Sequence, residues 1–445
     1  MTVTRARFAP SPTGWLHVGN AYIAVANALF ARHTGGELLL RLDDTDVERS
    51  REEYARGIEQ DLAWLGVTWT RMFRQSDRLA AYALAADRLR ASGHLYPCFE
   101  SEEELAAKRE VQRRRHQTPI YDRAALAMTA EQRARAEASG RKPYWRFRLS
   151  QGEQVWDDLV LGKRGVKLAA VSDPVLVRAD GSPLYTFTSV VDDIAEGVTH
   201  VIRGEDHITN SGVQRDIMSA LGADADAVRL AHRPLLLDAE GGKLSKRLDS
   251  LSLRRLRADG IEPAALFAYL ARLGTPDAFE PASVQALAES FDFARMSAAA
   301  PRFDPAQLLA LNRRVLHAAP YEAVASRLPP DADPRFWEAV RGNLDLVSEA
   351  RHWWEVVTGE ACASLPEEAA FLRLALTLLP AEPWDGDVWG RWTNALREAS
   401  GRGGRALFHP LRLALTGEEK GPELRALLPL IGRARAARRL AAAAG

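Results

Sequence analysis

At 445 residues, 47% of them hydrophobic, the chain is too long for one ordinary core and carries apolar material for two to four domains. Lys plus Arg equals Asp plus Glu at 59 each, so no global field points to nucleic acid, and any such binding must use local basic patches. Two cysteines, Cys98 and Cys362, exclude a disulfide framework and favour a reducing setting; with no apolar run near the ~18 residues of a membrane span and a short polar start, no membrane and a cytoplasmic location are expected.

From Val3 to Gly93 strand-like and helix-like segments alternate. Arg5 to Ala9 reads as a strand, His17 to His33 as a helix and Leu38 to Leu42 as a buried strand, followed by two amphipathic stretches. That alternation predicts a parallel sheet wrapped by helices, an α/β fold. Leu95-Tyr96-Pro97-Cys98-Phe99 opens a different region, helix-like from Ser101 to Arg115 and strand-like at Tyr144 to Leu149 and Pro174 to Val177, which reads as an insertion running to about Leu184. Strand signals return at Tyr185 to Val191, Val198 to Arg203 and Val228 to Leu237, and are expected to complete the first sheet. Beyond Phe303 the sequence turns rich in Ala, Leu and Arg at helical spacing, punctuated at Pro329-Pro330, Pro380, Pro383 and Gly401 to Gly404, so the last third is expected to be all-helical. The tail from Gly432 to Leu440 reads as a basic Ala/Arg helix.

The chemistry concentrates in two short stretches. Pro10-Ser11-Pro12-Thr13-Gly14-Trp15-Leu16-His17-Val18-Gly19-Asn20 follows the first strand, turns on two prolines and a glycine, and enters a helix. Backbone N–H groups at a helix start lack intrahelical partners, so phosphate is the expected guest. His17 can donate to a phosphate oxygen as charge grows on it, and Gly19 lets a nucleotide approach closely. The second stretch, Lys243-Leu244-Ser245-Lys246-Arg247, follows Gly241-Gly242 in a polar loop after the last strand. Ammonium groups there can follow phosphate oxygens into a transition state. Either stretch alone also fits a bland role, His17 as a helix-start residue and the lysines as a solvated charge cluster.

Together they resemble the two signatures of class I aminoacyl-tRNA synthetases, in the form carried by the glutamyl-tRNA synthetase branch. Asn20 stands for the last His of the general signature, Leu244 for the usual Met and Arg247 for the usual final Ser. The resemblance covers essentially the whole chain, including Gly404 to Gly417 near the C-terminus. It implies a Rossmann-like class I catalytic core in two halves, 1–94 and 185–240, with an inserted α/β acceptor-stem-binding domain at 95–184. A stem-contact domain with the lysine loop follows at 241–302, then a helical anticodon-binding region in two parts, 303–380 and 381–445. It also implies that His17, Lys243 and Lys246 are catalytic, Lys246 the more important lysine, and that Pro10, Ser11, Thr13, Gly14, Gly19, Asn20 and Ser245 join them in binding ATP, with magnesium as the nucleotide's partner.

An acidic amino acid needs a guanidinium for its carboxylate and another charge for its ammonium. Arg7, Arg203 and the acids of Arg41-Leu42-Asp43-Asp44-Thr45-Asp46 lie at the ends of expected strands, where doubly wound sheets place ligands, although surface positions on edge strands fit pattern alone equally well. By the resemblance Arg7, Ala9, Ser11, Tyr185 and Arg203 fall on glutamate-contacting positions. Asp43 stands where the family commonly has Glu for the amino group, and Ser189 where it often has Asn.

The resemblance implies transfer of L-glutamate, through a glutamyl-adenylate, to the terminal adenosine of tRNA-Glu, tRNA-Gln or both, by a monomer whose activation waits for tRNA. Many relatives carry a zinc knuckle in the insertion. Here Cys98-Phe99-Glu100 and Tyr121-Asp122-Arg123 leave one thiol and no Cys or His pair, so no zinc and no other bound metal is expected. Lys108 to Arg115 could meet backbone phosphates or simply form a solvated face. Trp337, Trp353, Trp354, Trp384, Trp389 and Trp392 are expected mostly in the core. The rivals are a glutaminyl-tRNA synthetase, whose C-terminal part would be β-barrel, an adenylating ligase of the same fold acting on small molecules without RNA, and an inactive RNA-binding paralogue.

Overall fold

Six elements in strict alternation open the chain: β1 (Arg5–Phe8), α1 (Val18–His33), β2 (Glu37–Leu42), α2 (Glu52–Leu65), β3 (Arg71–Arg74) and α3 (Leu79–Ala91). The computed structural model describes residues 3–242, 244, 251–360, 363–384 and 386–445. It divides into two units, Met1–Arg257 with Leu266–Pro305, and Ala258–Ala265 with Ala306–Gly445.

In the first unit Leu95 opens a region of mixed structure: β4 (Leu95–Cys98), α4 (Glu102–Arg114), α5 (Ala130–Ala138), β5 (Tyr144–Phe147), β6 (Glu153–Asp158), β7 (Gly162–Lys167) and β8 (Val175–Val177). β4, β5 and β8 form an antiparallel sheet, and β6 pairs with β7 in a hairpin. α4 begins at a reciprocal cap between Ser101 and Glu104, and none of its residues is buried. The chain then returns through α6 (Tyr185–Ala195), β9 (His200–Gly204), α7 (Ile208–Ala220) and β10 (Arg229–Arg233). The resulting five-stranded sheet has the order β10-β9-β1-β2-β3, all parallel. Leu38 to Leu42 on β2 are buried without interruption, as a strand covered by helices on both faces requires. The tip of the β6–β7 hairpin reaches the sheet, where the Leu159 N–H donates to the Leu230 carbonyl of β10 at 2.9 Å.

Tyr185 to Val191 corrects a sequence expectation. This run of aromatic and β-branched residues reads as a strand, yet it forms the first two turns of α6. Its buried face carries Ser189, Asp192 and Asp193, which meet arginines projecting from the sheet, and those tertiary contacts override a weak local preference.

In the second unit the described residues after Phe303 contain helices and no strand, from Pro305–Ala318 through Arg433–Ala443. Trp337 and Trp392 are fully buried, and each indole N–H finds a carbonyl, Ala319 at 2.9 Å and Ala375 at 3.0 Å. Trp353 is buried, and Trp354, Trp384 and Trp389 are half-buried against the same core. Arg439 of the basic tail is also buried, donating to the carbonyls of Leu415, Val356 and Gly359, so this part of the helix ties the core together.

Candidate active site

The first sheet reverses its direction of strand addition at β1: β2 and β3 extend one side, β9 and β10 the other. Ligands in such sheets sit where the order reverses, beyond the carboxyl ends of the strands. Here that crevice lies between the ends of β1 and β9, and the chain leaving β1 is the proline-rich turn.

That turn is pinned to its surroundings. The Asp43 N–H donates to the Pro10 carbonyl at 3.0 Å, Arg51 N–H to Pro12 at 2.9 Å and Thr13 N–H to Ser11 at 2.9 Å. Pro10 is buried, Ser11 and Thr13 are exposed, and Ala9, Gly14, His17, Gly19 and Asn20 are half-buried. His17 is the N-cap of α1: its Nδ1 accepts from the Gly19 N–H at 3.0 Å, while its own N–H donates to Asn20 Oδ1 at 3.2 Å. Burial holds the imidazole pKa below its ordinary value, so it is neutral at pH 7. With Nδ1 accepting, the ring proton belongs on Nε2, a donor available to an anion in front of the helix. A Cβ on Gly19 would stand 2.9 Å from His17 Cε1, so the glycine first makes room for the histidine's own ring.

Beneath the turn, β1, β2 and α6 bring together a cluster of buried charges. Arg7, 4% exposed, pairs with Asp193 through Nε at 3.2 Å and Nη2 at 3.4 Å. Arg41, 1% exposed, grips Asp43 with Nε at 2.6 Å and Nη2 at 3.2 Å, reaches Asp193 at 2.9 Å and donates to Ser189 Oγ at 3.0 Å. Asp192 is held by Gln75 at 2.8 Å, Tyr82 at 2.9 Å and Arg78 at 3.2 Å. Burial opposes the charge on Arg41, but Asp43, Asp193 and Asp192 outweigh it and raise its pKa. The same burial lifts the Asp43 carboxyl to about 6 against the pull of Arg41 and Arg7.

Arg203, near the carboxyl end of β9, is 6% exposed and has no carboxylate partner among the described residues. Its Nη1 donates to the Tyr185 hydroxyl at 3.3 Å, and its Nη2 to Ser211 Oγ at 2.6 Å and Gln214 Oε1 at 2.8 Å. Its Nε–H has no partner among the described residues. A buried guanidinium held by neutral groups is a receptor for an anion.

Lys243, Ser245, Lys246 and Arg247 lie outside the described residues. The chain just beyond them is placed: Ser252 forms an antiparallel bridge with His17, and the Leu253 N–H donates to the Leu16 carbonyl at 2.9 Å. The sequence that follows the lysine motif therefore runs directly beside the histidine turn.

Residues 3–310 match the family model of the class I tRNA synthetase (E and Q) catalytic domain, and residues 355–444 match that of an anticodon binding domain. The chain is 63% identical over 444 residues to Glutamate--tRNA ligase 2 of Acidiphilium cryptum, covering 100% of both chains. It is 54% identical to Glutamate--tRNA ligase of Azospirillum brasilense, covering 98% of each. A solved glutamate tRNA ligase from Elizabethkingia meningosepticum, in complex with its amino acid, superposes with a TM-score of 0.88 at 26% identity, covering 100% of this chain and 99% of that one. The chain belongs to the glutamyl-tRNA synthetase family.

Within this class I family fold, Arg7, Asp43, Ser189, Tyr185 and Arg203 gather at the carboxyl ends of β1, β2 and β9 and along α6, as the sequence reading groups them. Arg7 and Arg203 are buried, which removes the alternative that they are surface residues. Asp43 differs from expectation in that both its oxygens already engage Arg41. The sequence reading assigns no site role to Arg41, Asp192 or Asp193; the one local signal is an arginine inside the apolar run Leu38 to Leu42, and its partners on α6 come from far along the chain. His207 was also missed: its ring lies 5.9 Å from that of Tyr185, and burial followed by Arg203 pushes its pKa down to about 4. In the insertion Cys98 is buried, with Sγ 3.7 Å from the Tyr121 hydroxyl, and burial raises its thiol to about 12. Among the described residues no group of His, Cys, Asp and Glu is arranged to hold a metal ion.

Proposed function

We propose that this chain attaches L-glutamate to the 3′-terminal adenosine of tRNA. The observation that carries the reading is the buried Arg203, near the carboxyl end of a strand of a class I sheet and without a carboxylate partner among the described residues, in a chain alike over its full length to glutamate–tRNA ligases. The α-carboxylate of glutamate attacks the α-phosphate of ATP and pyrophosphate leaves; a ribose hydroxyl of the terminal adenosine then attacks the carbonyl of the mixed anhydride, forming the ester and releasing AMP. His17 Nε2–H donates to phosphate oxygen, and Lys243 and Lys246 supply positive charge, with Pro10, Ser11, Thr13, Gly14, Gly19, Asn20 and Ser245 around the nucleotide and magnesium as the nucleotide's partner. No side-chain nucleophile is required, because positioning and charge stabilisation suffice.

Arg7, Ala9, Ser11, Tyr185, Ser189 and Arg203 form the glutamate pocket, and Asp43 sits beneath the ammonium, reached directly or through water. Residues 1–94 and 185–240 act as the catalytic core, 95–184 as the acceptor-stem domain, 241–302 as the stem-contact domain, and 303–380 and 381–445 as the two parts of the anticodon-binding region. The protein works as a cytoplasmic monomer and without zinc, a reading supported by the buried, high-pKa thiol of Cys98, which is the opposite of a thiolate ligand.

The deciding measurement is aminoacylation of separated tRNA-Glu and tRNA-Gln with labelled glutamate and glutamine. Glutamate is expected on tRNA-Glu, on tRNA-Gln or on both; incorporation of glutamine alone, or activation of an acid with no RNA product, would refute the reading. Pyrophosphate exchange with and without tRNA tests whether activation waits for the nucleic acid.

A further inference from the structure

Arg203 is the end of a buried hydrogen-bonded chain that begins in the insertion. Its β10 neighbour in register is His232, which is 0% exposed. His232 Nε2 lies 2.6 Å from Ser211 Oγ, the atom that also receives the Arg203 Nη2–H at 2.6 Å. On the other side of the ring, Nδ1 hydrogen-bonds to Asp158 Oδ2. Asp158 is the last residue of β6, and its Oδ1 accepts from the backbone N–H groups of His232 at 3.0 Å, Val160 at 3.1 Å and Leu161 at 3.0 Å. Burial keeps the His232 pKa low, while the hydrogen bonds from His232 and the backbone overcome burial to keep Asp158 ionised.

These facts set the direction of every proton. A carboxylate only accepts, so Nδ1 carries the ring hydrogen and donates it to Asp158. Nε2 is then an acceptor and takes the Ser211 hydroxyl proton, for which the His207 carbonyl at 3.1 Å is the more distant competitor. The Ser211 lone pairs are thereby turned toward Arg203. Each link polarises the next, and the chain makes Ser211 a stronger acceptor for the guanidinium.

We propose that Asp158 and His232 are positioning residues that act through Ser211 to fix the Arg203 guanidinium for its anionic substrate. The proposal rests on the glutamate reading of Arg203. It explains why the insertion sends a hairpin tip back to the edge of the sheet: Asp158 is anchored where it can orient a histidine one strand away from the substrate arginine. The chain leaves the Nε–H and one Nη1–H without a partner among the described residues while restraining rotation about the terminal bonds, so less freedom is lost on binding.

The test is steady-state aminoacylation by the full chain with its cognate tRNA, using Ser211→Ala, Asp158→Asn and Arg203→Gln. Ser211→Ala removes one oxygen. Asp158→Asn keeps Oδ1 for its backbone donors but turns an N–H donor toward His232. Both are expected to raise the glutamate KM about tenfold while kcat and the ATP KM stay within about twofold; Arg203→Gln should raise the glutamate KM far more. Equal losses for glutamate and ATP, or an unchanged glutamate KM in Asp158→Asn beside a large effect of Arg203→Gln, would overturn the positioning chain. An unchanged glutamate KM in Arg203→Gln would instead refute the role of Arg203 itself, and the chain with it. Should Asp158→Asn fail to fold, His232→Asn, which keeps a donor for Asp158 and loses the acceptor for Ser211, takes its place with the same expected rise in glutamate KM.

Discussion

His17 caps a helix and leaves a hydrogen-bond donor on the same ring, because each nitrogen has one task. Nδ1 accepts the Gly19 N–H, which leaves the hydrogen on Nε2. Gly19→Ala separates the two. Alanine favours the helix by up to ~1 kcal/mol, but its Cβ, 2.9 Å from His17 Cε1, forces the ring aside. Thermal stability should change little while the rate of pyrophosphate exchange falls at least tenfold; an unimpaired rate would show that ring placement is unimportant. Asp43 is the other residue whose environment sets its behaviour. Its pKa, lifted to about 6 by burial, means the carboxylate charge near the proposed ammonium site fades as pH falls through that value. The glutamate KM should therefore rise between pH 7 and 5.5, and Asp43→Asn should give a higher KM that no longer varies over this range.

At the scale of elements, α2 holds a group that works against the fold. Asp61 is buried, its Oδ2 has no partner among the described residues, and burial raises its pKa from 3.8 to about 6 despite Arg257 and Arg254. A folded-state pKa above the unfolded one means the native state binds the proton more tightly. Below pH 3.8 both states hold it and nothing is lost; as pH rises through about 6 the charged carboxylate costs stability. Asp61→Asn should thus stabilise by about 1 kcal/mol at pH 7, after discounting for partial solvation, with the gain gone below pH 4 in urea titrations.

Much of the site-bearing architecture was legible in the sequence. β1, α1, β2, β9 and β10 follow from apolar runs and from the helix start at His17, and buried parallel strands leave the plainest pattern. β3 leaves little pattern because Arg71-Met72-Phe73-Arg74 is short and charged at both ends. β6 and β7 leave little because only a few of their side chains turn inward. α6 reads as a strand because its helical state depends on arginines more than a hundred residues earlier in sequence. The same long range hid the Arg41 cluster and the Asp158–His232–Ser211 chain: pattern identifies an arginine near a strand end, but its partners appear only when the sheet is assembled.

Across the whole molecule, the two units have separate cores, and a fault in one should leave the chemistry of the other intact. Gly421 offers a clean case. It has φ +143°, and a Cβ there would stand 1.9 Å from Cη2 of the buried Trp353. Gly421→Ala should cost about 2–3 kcal/mol in the helical unit through overpacking and backbone strain, seen as a lowered first transition in calorimetry, while the glutamate KM is unchanged.

The hairpin tip on β10 has a consequence beyond the arginine it orients. An open parallel sheet exposes two rows of unmatched backbone groups, and a second chain can add itself to either. Here one border is occupied by Leu159, and the other, β3, displays Arg71 and Arg74. The enzyme's own insertion thus acts as a stopper at one rim, while at the other a stranger would have to displace Arg71 and Arg74 from their pairs with Glu196 and Glu52, so crowded, newly made copies have little backbone on which to stack.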